Sequence, residues 1–164
     1  MKNILQAGFT WVELMFVIAV IAILAMMAIP GLQENALKRQ VKEGMALADV
    51  VKGGVQASYR LKGDMPADNA AAGVPAKEKI LGALVKEVQV DKGAIVLTFG
   101  NNASKVLDGK KLTIRPAVVK DELAVPISWI CNDVPIPTGM EVRGNNVTDI
   151  EKKYLPIECR GPTK

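Results

Sequence analysis

The chain has 164 residues, enough for one compact domain and an appendage but too few for two full-sized domains. Its 21 Lys+Arg against 17 Asp+Glu give a formal net charge of +4, no nucleic-acid footprint by itself, and with no histidine Ser-His-Asp, Cys-His and His-ligated metal chemistry are excluded. Hydrophobic residues make up 49% and crowd toward the N-terminus: residues 9–33 hold one ionisable side chain, Glu13, while charges are frequent from Glu34 onward. The pattern is a soluble domain preceded by one very apolar segment, not a polytopic membrane protein.

Residues 14–33, LMFVIAVIAILAMMAIPGLQ, carry no charge. A helix of that length spans about 30 Å, the thickness of a bilayer's hydrocarbon core. The plain readings are a secretory signal or a simple membrane anchor. A secretory signal ends its apolar run in an A-x-A-like site, and AMMAIPGLQ has none, so the segment is expected to be retained. Two residues fit a plain anchor badly. An acid at mid-helix depth costs about 2.5–3.5 kcal/mol on insertion scales. Glu13 lies near one end, where the cost is smaller, but an acid there calls for a partner. Pro30, inside the helical pattern, removes a donor and favours a kink.

The run MKNILQAG-FTWVELMFVIAVIAILAMMAIP resembles the class III leader and N-terminal helix of type IV prepilins. The residues that carry the resemblance are Lys2 in a short leader, Gly8 at the cleavage point, Phe9 after it and Glu13 five residues past Gly8. The resemblance implies cleavage after Gly8 by an inner-membrane prepilin peptidase and N-methylation of Phe9. It implies no cofactor, and a chain that sits in the inner membrane as a precursor before it enters an extracellular pilus. There it would be a structural subunit, not an enzyme, packing N-terminal helices into a helical homopolymer used for adhesion, twitching motility or DNA uptake. Glu13 and Pro30 are the assembly residues on this reading. Glu13 would pair with the new amine at Phe9 of an adjacent subunit, and residues 22–30 would be where the helix loosens on assembly. A type II secretion pseudopilin shares the N-terminal motif. A minor pilin that binds a ligand such as DNA is the other alternative; nucleic acid is a possible partner that the sequence does not indicate.

The positive-inside rule points the other way, since Lys38, Arg39 and Lys42 follow the apolar segment and only Lys2 and the terminal amine precede it. Long domains translocate despite such charge, and the motif and the cysteines favour export.

The helix is expected to continue to about residue 60. Leu37, Val41, Met45, Ala48, Val51, Val55 and Tyr59 recur at three and four residues, a core-facing stripe. The charges between them read as a solvated face. Gly53-Gly54 is either a close-packing site or a loosened turn. Residues 62–76 have loop chemistry, and a short helix over 77–84 is expected next. Strands are expected at 85–90, 94–99, 112–118 and 125–130, with Asp91-Lys92-Gly93 as a tight hairpin turn. One face of this antiparallel sheet is apolar, and the stripe is its cover. Pro126 marks an unpaired edge near the last strand. The expected class is α+β: a leader over 1–8, a membrane and filament-core helix over 9–34, and a globular domain over 35–164. That domain comprises helix 35–60, loop 61–84, sheet 85–130 and a C-terminal loop 131–159.

Cys131 and Cys159 are either two buried thiols or one disulfide. In an exported domain with only two cysteines the compartment favours the bridge, and the spacing resembles the disulfide-bounded C-terminal region of type IV pilins. The enclosed residues 132–158 show little strand pattern and are expected to be tied only at their ends, as the variable outer face of the fibre. Other signals are weak. The sequons at Asn102 and Asn146, the acid pairs Asp121-Glu122 and Asp149/Glu151, the turn glycines Gly100 and Gly109, and the lysine pairs at 110–111 and 152–153 all read as ordinary surface.

Overall fold

The computed structural model describes residues 9–161, apart from the side chains of 28–30. The expected leader over 1–8, Gly8 included, lies outside them. The chain divides between Asn35 and Ala36 into two compact units.

A single helix, α1 (Trp11–Lys62), is assigned without interruption through Pro30. Its start is fixed by Thr10, whose hydroxyl accepts the backbone N–H of Glu13 at 3.3 Å. That is an N-cap bond, and Thr-x-x-Glu is the sequence pattern of a capping box.

In the second unit, residues 36–62 of α1 cover one face of an antiparallel sheet. The strands are β1 (Val85–Asp91), β2 (Ala94–Phe99), β3 (Lys111–Val118), β4 (Ser128–Cys131) and β5 (Glu141–Val142). The order is β1-β2-β3-β4, with β5 pairing β3. Ile95 faces Ile114 and Leu97 faces Leu112 across β2 and β3. These four, with Phe99, Val85 and Val88, form one core with Leu37, Val41, Val51 and Val55 of the helix. Each such side chain contributes about 1.5–3 kcal/mol when fully buried. The α+β class, the helix-on-sheet packing and the stripe stand as read from the sequence. So does the β1–β2 turn, where Lys92 and Gly93 both have positive φ, as a two-residue type I′ hairpin requires.

Three local expectations fail. Residues 77–84 form no helix beyond a 3-10 turn at Lys77–Lys79. The chain there is pulled extended into β1, and Gly82 N–H bonds to the Val85 carbonyl. The last long strand is β4 alone, four residues from Ser128, because Pro126 cannot donate to a ladder. Most consequential, residues 132–158 are not tied only at their ends. They contribute β5, and they are bonded to β3 along their length, as detailed below.

The segment after α1 seals the other edge of the sheet. Asn69 is buried, and its side-chain amide completes the outer edge of β1: Nδ2 donates to the Val88 carbonyl at 3.0 Å and Oδ1 accepts from Val90 N–H at 2.7 Å. An edge strand is thereby closed to pairing with another chain.

Candidate assembly surfaces

The large apolar side chains of the first unit are exposed among the described residues. No large apolar side chain from Trp11 to Met27 is less than 39% exposed. A helix apolar on every side needs lipid or other apolar helices around it. By length and composition this helix can cross a membrane. Glu13 sits in the first turn, and among the described residues its carboxylate has no hydrogen-bond or ion-pair partner. The cap bond from Thr10 uses the backbone N–H of residue 13, which any residue but proline supplies. The acid is therefore not explained by capping alone.

The second unit's candidate surface is the disulfide region. Cys131 and Cys159 are bridged, and both sulfurs are buried on the helix side of the sheet; Cys159 Sγ lies 3.7 Å from Met45 Sδ. Between them runs a strap. Val142 pairs with Ala117, and Arg143 N–H bonds to the Pro116 carbonyl. Val147 N–H donates to Thr113 Oγ1 at 3.1 Å, and Thr113 N–H donates to Thr148 Oγ1 at 3.0 Å. Lys111 N–H bonds to Asp149 Oδ1, and Asp149 N–H to the Lys111 carbonyl. Thr113 alternates with the core-facing Leu112 and Ile114, so the strap crosses the sheet face away from the helix. Ile150 and Leu155 then rejoin the core.

Asn132 knits the strap to the bridge. It has positive φ, donates from Nδ2 to the Cys159 carbonyl, and accepts Asn146 Nδ2 at 3.1 Å. Asn146 also donates to Asp133 Oδ1 and accepts Thr148 N–H, so its amide is committed to the fold rather than free for a sugar. Of the lysine pairs, Lys110 approaches Asp149 at 3.9 Å and Lys153 holds Glu151 at 2.8 Å. The bond to Glu151, helped by Tyr154, raises the Lys153 pKa. Basic residues with acids beside them do not make a phosphate-binding stripe. Among the described residues no cluster of three or more acidic or cysteine side chains could hold a metal. A half-open cavity of about 580 Å³ at the end of α1 is lined by Tyr59, Asp64, Lys92, Asp121 and Arg143, charges of both signs with no nucleophile-and-base pair.

Sequence reasoning missed Thr10, whose signal was the Thr-x-x-Glu spacing, and the strap contacts of Asn132, Asn146 and Thr148, which had none.

Residues 38–160 match the profile of the family described as pilin, a bacterial filament protein. The chain belongs to the type IV pilin family. It is 36% identical to the type IV major pilin protein PilE of Neisseria gonorrhoeae over 96% of both chains. It is 35% identical to a fimbrial protein of Neisseria meningitidis, again over 96% of both. The fimbrial protein EcpC of Eikenella corrodens is 34% identical over 94% of this pilin and 91% of its own length. The family is one of structural filament proteins, not of enzymes, and this pilin is a structural subunit of that kind.

Proposed function

We propose that this pilin is made as a precursor whose residues 1–8 are removed after Gly8 by an inner-membrane peptidase, and that the new amine at Phe9 is N-methylated. Residues 9–34 then hold the subunit in the inner membrane and afterwards form its part of the filament core, while 35–164 are the outward domain. Assembly machinery in that membrane lifts each subunit into the fibre.

The observation that carries this reading is the all-round exposure of the apolar side chains from Trp11 to Met27, interrupted by the acid Glu13, which has no partner among the described residues. Such a helix can exchange lipid for its own kind without exposing apolar area to water. Head-to-tail contacts of that type do not close on themselves, so they propagate. Glu13 gives the contact its register. Cleavage creates one positive charge at Phe9, and pairing that amine with the Glu13 of an adjacent copy offsets the cost of desolvating both. Pro30 lacks a donor to the turn before it, which leaves residues 22–30 as the stretch where helical bonds yield on assembly.

Two measurements test the reading. Intact mass of sheared surface filaments is expected to correspond to a chain that begins at N-methylated Phe9; filaments that retain residues 1–8 would overturn the processing step. Glu13→Val is expected to leave membrane insertion intact and to remove most filaments. Normal piliation by that variant would end the pairing role.

A further inference from the structure

The apolar stretch has three polar side chains in or beside its first turn, Thr10, Trp11 and Glu13, and no other until Gln33. Thr10 is used within the chain as the helix cap. The other two are unmatched. The Trp11 indole, on a residue 71% exposed, can only donate, and among the described residues it has no acceptor. The Glu13 carboxylate can only accept, and among the described residues it has no donor. Residues two apart on a helix face different ways, so Trp11 cannot serve its own Glu13. In the first turn the helix uses its own carbonyls, as where Leu14 N–H bonds to the Thr10 carbonyl. Once the stretch is surrounded by other copies and water is excluded, each unmatched group needs a partner from outside its own chain. One orphan donor and one orphan acceptor, held where they cannot meet within a subunit, are complementary between subunits.

We propose that the Trp11 indole Nε1–H of one copy donates to the Glu13 carboxylate of an adjacent copy. It would be the second donor to the acid that receives the Phe9 amine. The inference rests on that pairing. Phe9 and Thr10 precede the helix and Trp11 opens it, so the amine and the indole sit two residues apart at one chain end. They approach the neighbour's first turn together. A carboxylate has two oxygens and about four lone-pair sites, enough for both. Trp11 is thus a positioning residue: it orients the acid and doubles the specificity of the register.

The test uses full-length protein with Trp129→Phe, which leaves Trp11 as the one indole of the two in the chain. Trp11→Phe and Trp11→Leu are compared with this parent for filaments sheared from cells relative to pilin in the membrane. Both are expected to lower that ratio about tenfold, the loss of one hydrogen bond to a charged acceptor, with the membrane pool unchanged. In parent filaments the hydrogen-bond-sensitive indole Raman band is expected at a strongly bonded position. This second reading stands even where a variant fails to accumulate. An unbonded indole in filaments overturns the proposal, and so does a normal ratio in Trp11→Phe. A smaller membrane pool at an unchanged ratio also overturns it, because Trp11 is then an interfacial anchor for lipid. Failure of the underlying pairing looks different: Glu13→Val piliates normally. Loss of filaments in Glu13→Val with full piliation in Trp11→Phe defeats this inference alone.

Discussion

From Trp11 to Met27 no large apolar side chain of α1 is less than 39% exposed, whereas Leu37, Val41, Val51, Val55 and Tyr59 of the same helix are each 7% exposed or less. Both stretches contain Val, Leu and Met. The difference is arrangement. The second confines its apolar residues to one stripe, and the strands of its own unit supply the cover. The first is apolar on every side, a problem no single sheet can solve. It requires a medium, and a bilayer and a bundle of like helices are both such media. One helix therefore divides its sequence between stability within the chain and association beyond it, and substitutions sort accordingly.

The largest expected effect is that of an acid placed in each stretch. Val51 is fully buried against the sheet, so Val51→Asp introduces an unpaired charge into the core. It is expected to cost about 3–5 kcal/mol and to unfold the globular unit. Leu24 is 61% exposed and lies outside the globular unit, so Leu24→Asp is expected to leave that unit's melting temperature unchanged. Instead it should weaken membrane insertion by about 2.5–3.5 kcal/mol. Near-ultraviolet circular dichroism in detergent and membrane fractionation read the two outcomes. Loss of tertiary signal in Leu24→Asp, or retention of it in Val51→Asp, would break the division.

The bridge comes next. The double variant Cys131→Ala, Cys159→Ala removes a link between residues 28 apart, expected to lower stability by about 3–4 kcal/mol. A loop tied only at its ends would become mobile once the bridge is removed. The bonds from Arg143, Val147 and Asp149 to β3 predict otherwise. Hydrogen exchange at the Val147 and Asp149 amides is expected to stay slow relative to the exposed turn at Gly139. Fast exchange at those amides in the double variant would restore the idea of a loop held at its ends alone.

The strap also shows what the sequence hid. β2 and β3 were legible because Ile95, Leu97 and Phe99 alternate with Val96 and Thr98, and Leu112 and Ile114 with Thr113 and Arg115. Along 141–149 the residues alternate in burial just as regularly, with Val142, Gly144, Asn146 and Thr148 turned inward. Those four are not an apolar set; Asn146 donates to the Asn132 side chain and Thr148 Oγ1 accepts Thr113 N–H, partners far away in sequence. Hydrophobic periodicity cannot register a strand whose inward positions are polar. Asn69 on the edge of β1 was invisible for the same reason. The N-terminal site was legible in the opposite way, since one acid in a charge-free run needs no tertiary structure to stand out. Asn146→Ala removes donors to Asn132 and Asp133 from the half-buried strap. It is expected to cost about 1–3 kcal/mol, with exchange at Val147 accelerated. An unchanged denaturation midpoint would mean that the network contributes nothing.

Gly53 and Gly54 set an open and a packed position of α1 side by side, and the smallest expected effect, that of Gly53→Ala, is read against its neighbour. A Cβ at Gly54 would collide with Val74 Cγ1 and lie 2.7 Å from the Ala72 carbonyl oxygen. Segment 71–74 is fixed there, because Ser58 Oγ donates to the Ala71 carbonyl at 3.0 Å. A backbone atom cannot step aside as a flexible side chain can, so Gly54→Ala is expected to destabilise by about 1–3 kcal/mol. At Gly53 nothing lies within 4 Å of the same built atom. Its only consequence for the isolated chain is helix propensity, and Gly53→Ala is expected to stabilise by up to about 1 kcal/mol. Denaturant midpoints of the full chain in detergent read both signs at once. If both variants destabilise, Gly53 is held by a contact outside the subunit or by a looser helix than the one described. If both stabilise, the approach of residues 72–74 to α1 is softer than the Gly54 contacts require, and the glycine pair is a weak turn rather than a packing site.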